Sequence, residues 1–159
     1  MSFTPNQIEA AGLLFEEENG NVLGDYEKGV VAESDLEGRE LREVKNELID
    51  SVTFPTELNA HDRCGIYWAL SKTFDSDLIG WWTSQLRNEV ENKTECVFQI
   101  MIALDNLEEP IFVEDRSGYS TLETEFNLRD ARNYLDGKEI NTPGGAQKGS
   151  GQCSMILLW

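Results

Sequence analysis

Residues 56–107 read TELNAHDRCGIYWALSKTFDSDLIGWWTSQLRNEVENKTECVFQIMIALDNL, and the spacing of their apolar side chains decides the fold. Ile66, Tyr67, Leu70 and Phe74 recur at three and four residues, with Cys64 and Trp68 widening the stripe. That is the signature of an amphipathic helix, here running from a Thr56 cap to Phe74. Asp75-Ser76-Asp77 caps a second helix with Leu78, Ile79, Trp82, Leu86 and Val90 on its inner face. After the break at Glu91-Asn92-Lys93, Thr94 and Glu95 open a third. Its Val97, Ile100, Met101, Leu104 and Leu107 face one way, and Phe98 and Ile102 the other. A helix apolar nearly all round is covered on both sides, so 95–107 is expected at the centre of the core.

Helical signals continue towards both ends. Thr4-Pro5 opens a first helix, since proline at the first helical position lacks only an amide that would be unpaired anyway. Ile8, Ala11, Leu14 and Phe15 face inward, and Glu16-Glu17-Glu18-Asn19-Gly20 ends it. Those acids lack the alternation of a calcium loop, and they oppose the helix dipole. A short helix is expected within 21–32 despite Gly24 and Gly29. Another runs from a Ser34-Asp35 cap to Val52, with Leu41, Val44, Leu48 and Val52 inward, before Phe54-Pro55 stops it. Ile111-Phe112-Val113 is a short β-prone run, 114–120 a surface loop, and Leu122 and Phe126 are expected anchors. Asn127 is read as the cap of a last helix over 128–135, which Asp136-Gly137 ends. The expected architecture is all-α: an antiparallel bundle or a short α-solenoid of about six helices.

From Lys138 the composition changes. Thr142-Pro143-Gly144-Gly145 and Lys148-Gly149-Ser150-Gly151 read as flexible linker, followed by the uncharged Met155-Ile156-Leu157-Leu158-Trp159. That end can fold back on the helices, enter a partner's groove, or be foreign to the natural chain. The division is thus an acidic helical domain, 1–137, and a tail, 138–159.

Trp68-Ala69-Leu70 aligns with Ile102-Ala103-Leu104, and Ile66 with Ile100, at a period of about 34 residues, within the range of helical repeats. In this the chain resembles HEAT-type repeats. With its size, charge and the Ile100-to-Leu107 core helix, it also resembles α-helical immunity proteins of bacterial contact-dependent and polymorphic toxin systems. The resemblance implies tight binding to one cognate toxin and no catalysis.

Charge bounds the function. Thirty acids against 13 basic residues leave a formal net charge of −17. Self-repulsion of that size costs the compact state stability. Nucleic acid and anionic membrane surfaces are repelled, which leaves a basic protein as the natural partner. The first ten residues lack a basic start and an apolar run. Of the three cysteines, Cys64 and Cys96 sit on apolar faces and read as ordinary small buried thiols, and Cys153 lies in the tail; the pattern fits a reducing cytoplasm.

Catalytic chemistry has little to stand on. The single histidine, His61, lies three residues before Cys64. A nucleophilic cysteine needs cationic company or a helix N-terminus, and neither is evident here. One histidine and scattered cysteines build no ordinary metal site, no glycine loop follows a strand to cradle phosphate, and no cofactor is implied. The expected function is inhibition of a basic toxin, a nuclease being the natural case, through acids and aromatics. A HEAT-like adaptor or an acidic mimic of nucleic acid are the alternatives. The expected contacts are Asp75, Asp77, Trp81 and Gln85 around the second core helix, and Glu108, Glu109, Glu114, Asp115 and Tyr119 beyond the third.

Overall fold

The computed structural model describes residues 3–53, 58–113 and 122–140. These residues are all-helical: α1 (Pro5–Glu18), α2 (Asp25–Ala32), α3 (Leu41–Thr53), α4 (Ala60–Ser71), α5 (Ile79–Asn92), α6 (Val97–Asp105) and α7 (Thr124–Ile140), with a 3₁₀ turn at Ser76–Leu78 before α5. Helix α1 packs on α2, α3 and α4; α4 packs in turn on α6, and α6 on α5 and α7. The result is a row α2–α1–α4–α6–α7 flanked by α3 and α5. As expected, α6 is central: Ile100, Met101, Ala103 and Leu104 are almost wholly buried.

Capping chemistry sets the ends. Thr4 and Gln7 form the reciprocal capping box of α1, satisfying two orphan donors at once. At its other end the Asn19 amide donates to Phe15 O at 2.9 Å and across to Lys72 O at 3.0 Å. Lys72 Nζ also meets Glu16 at 2.5 Å. The acids that oppose the α1 dipole are therefore partly answered by a cation from α4.

Several boundaries differ from the periodicity. Helix α4 is capped by Asn59, whose oxygen accepts from Asp62 N at 2.8 Å; Thr56 lies outside the described residues. Phe74 falls after α4 in a left-handed turn (φ 47) and is half exposed, so it leaves the core stripe. Ser34 donates to Val31 O and accepts from Leu36 N. The expected cap of α3 instead builds a turn after α2, and α3 starts at Leu41. Thr94 accepts from Cys96 N, one step short of α6, which begins at Val97. Asn127 does not cap α7. It is buried inside it, and the helix runs on through Gly137 to Ile140. Leu122 and Phe126, expected as anchors, are 90% and 49% exposed. Residues 111–113 form no strand; Ile111 is buried and Phe112 stacks on Phe98, centroids 6.3 Å apart. The linker and apolar end read from 141–159 lie outside the described residues.

The largest departure is covalent. Cys64 of α4 and Cys96, just before α6, are not separate thiols but a disulfide, with Cα atoms 5.1 Å apart. It ties together the two helices that carry the repeated Ala-Leu pattern.

Candidate partner-binding surface

The expected face around α5 is largely turned inward. Gln85, an expected contact, is only 6% exposed. It accepts from Tyr67 OH at 3.3 Å. One turn on, Glu89 is 5% exposed and is the hub of a polar cluster. Tyr67 OH donates to Glu89 Oε1 at 2.9 Å, Arg63 Nε stands 2.8 Å from the same oxygen, and Thr94 donates to Oε2. A buried carboxylate needs such company to remain tolerable. Burial, and then the negative Glu89, push the Tyr67 hydroxyl well above its ordinary value, which keeps it a neutral donor. This cluster clamps α4 to α5.

Trp81 is half-buried. Its ring packs edge-on to Trp82, centroids 4.7 Å apart, and 6.2 Å from Tyr67, while Nε1 donates to Thr53 Oγ1 at 3.0 Å. It bridges α5 to α3 with part of its surface still accessible. Asp75 is engaged by Lys45 Nζ at 2.6 Å and caps Asp77 N at 3.0 Å. The Lys45 hydrogen bond holds its carboxyl below the usual range. Asp77 is exposed.

The second expected patch is also partly spent. Glu109 Oε2 accepts from Tyr134 OH at 2.6 Å and lies 2.7 Å from Lys138 Nζ. Burial raises its carboxyl, but the bonds from Lys138 and Tyr134 outweigh that and hold it below its ordinary value. Glu108 is exposed, in a left-handed turn (φ 62) that closes α6. Glu114, Asp115 and Tyr119 lie outside the described residues. Asp77 and Glu108 are thus the exposed, unpaired acids of the two expected patches among the described residues.

Exposed apolar surface lies elsewhere, at the corner between α1 and α2. Val22 and Tyr26 are 85% and 75% exposed and flank Leu23, which is buried and anchors the turn. Around them Glu17, Glu18 and Asp25 are exposed and form no ion pair among the described residues. Glu27 is occupied in capping Gly24 N at 2.6 Å, and Lys28 is the local counter-charge. A phenol ring and a branched side chain standing in water among free carboxylates match the anchor-and-field composition of a protein contact. The sequence carried a signal here: an aromatic next to Asp25, in a segment whose glycines weakened the helix and left few positions to bury.

No family model, no curated protein and no solved structure matches this chain. The surface must therefore be read from its own chemistry. Among the described residues no helix is long and apolar enough to cross a membrane, and no group of three or more His, Cys, Asp or Glu side chains could hold a metal ion.

Proposed function

We propose that this chain is an inhibitor: an immunity protein that binds a cognate basic toxin, a nuclease in the simplest case, and does no chemistry of its own. The observation that carries the reading is the exposed pair Val22 and Tyr26 among the unpaired Glu17, Glu18 and Asp25, on a chain of net charge −17. A nuclease cleft is built positive for phosphate. Carboxylates steer the encounter with it, and an aromatic supplies buried area at low entropic cost. Asp77 and Glu108 add to the long-range field.

The proposed compartment is the cytoplasm, where such a toxin would act. The Cys64–Cys96 bridge weighs against it, because disulfides are rare in reducing compartments. Complete burial of Cys96 shields that sulfur from reductants and favours persistence of the bridge.

Affinity capture from the native host, with mass spectrometry, tests the reading. The parent chain should retain a basic protein that a Tyr26→Ala, Glu18→Lys variant does not. Equal recovery by both, or turnover of a substrate by the purified chain, refutes it.

A further inference from the structure

A groove of about 340 Å³ runs between the N-terminal halves of α1 and α4, at the low end of the range of about 300–1,000 Å³ for ligand sites. Ile8, Gly65 and Trp68 form its apolar part, and Glu9, His61 and Asp62 its polar part. Gly65 keeps it open: a Cβ there would stand 3.3 Å from Ile8 Cγ2. Glu9 makes no ion pair or side-chain hydrogen bond among the described residues. Asp62 accepts from Asn59 Nδ2 through Oδ2 at 2.8 Å, which leaves Oδ1. His61 pairs with neither.

Trp68 has a second environment one turn along. There Lys72 Nζ sits 5.4 Å from the indole centroid and 2.5 Å from Glu16. Aromatic ring, carboxylate and cation are complete at that site, with the cation supplied by the chain itself. The groove is lined by the same residue, Trp68, together with two carboxylates, and no Lys or Arg lines it. We propose that the groove receives the side chain of an arginine from a basic partner protein. Its methylenes would cover Ile8 and Gly65, its plane would meet Trp68, and its fork of donors would reach Glu9 and Asp62 together. A lysine offers a compact point charge with neither a plane to stack on the indole nor a fixed fork to span two carboxylates. The site does not depend on the partner being a toxin, and it is separate from the α1–α2 corner.

The test uses ¹⁵N-labelled full-length protein titrated with acetyl-arginine amide, acetyl-lysine amide and uncharged acetyl-citrulline amide. The arginine probe should give saturable shifts at the Trp68 indole N–H and the Gly65 and Glu9 amides. Binding should weaken about fivefold in Glu9→Gln, the size of one exposed charge pair, with unchanged melting. Removing equal charge at the exposed Glu37, by Glu37→Gln, should leave it unchanged. Shifts spread evenly over the surface acids, equal saturation by lysine or citrulline, or indifference to Glu9→Gln would each overturn the assignment.

Discussion

Gly12 shows how one missing side chain sets a helix contact. A Cβ there would lie 2.4 Å from Trp68 Cζ3, a separation that real contacts do not reach. Gly12→Ala must push the indole aside and should cost roughly 1–3 kcal/mol, as overpacked sites do; chemical denaturation measures it. Tyr67→Phe should likewise cost about 1–3 kcal/mol, because it strips a donor from the buried Glu89. Legibility fails at this scale for a physical reason. Gln85 and Glu89 sit beside the stripe Trp82, Leu86, Val90, where spacing alone reads them as its polar margin. What buries them is a hydroxyl and a guanidinium from α4, and helical periodicity carries no information about the facing helix. Glycine at position 12, inside an otherwise regular apolar helix, was the available hint of a close approach.

Between elements, the Cys64–Cys96 bridge and four charge pairs, Glu16–Lys72, Lys45–Asp75, Arg63–Glu89 and Glu109–Lys138, hold the helices together. Closing a loop of 32 residues should stabilise by about 3–4 kcal/mol in the chain-entropy account. Cys64→Ser with Cys96→Ser should lower the melting temperature accordingly, and dithiothreitol should affect only the parent. Asp75 and Glu109 are both held below the ordinary carboxylate range. Their stabilisation is present above the unfolded value of about 4 and is lost as the pH falls through their lower folded values. Lys138 is raised by its bond to Glu109, and Tyr134 by burial and the same carboxylate. Their contribution is complete below about pH 10 and is lost above it. Glu109→Gln should therefore flatten both the acid and the alkaline limbs of a melting-temperature profile, and Asp75→Asn only the acid limb. Helix existence was legible throughout, because 3.6-residue patterns are dense in 5–18 and 60–105. The ends were less so. Ser34 and Thr94 are good caps by residue type, but Ser34 spends its oxygen in the turn that follows α2 and Thr94 in the turn just before α6. Asn127 is drawn inside α7 by burial. The disulfide was invisible, since pairing depends on how α4 meets α6 and not on residue type.

At the scale of the whole molecule, charge is the dominant feature. With a net charge of −17, raising ionic strength from about 0.01 M to 0.15 M shortens the screening length from about 30 to 8 Å. The melting temperature should rise with added salt as self-repulsion is screened, and a fall would show that attractive pairs dominate. Negative charge and an all-helical body were plain in the composition and periodicity. The location of exposed apolar surface was not: Trp81, an expected contact, is half-buried against Thr53, Tyr67 and Trp82, whereas Tyr26 is 75% exposed.

The most direct test is the association kinetics of the captured partner with the parent chain, Tyr26→Ala, and Glu17→Lys with Glu18→Lys, at low and physiological salt. The account predicts that the partner is basic and that its association rate falls by tenfold or more with salt and with charge reversal, as steered encounters do. It also predicts that Tyr26→Ala speeds dissociation. An association rate indifferent to salt and to all three residues would contradict it.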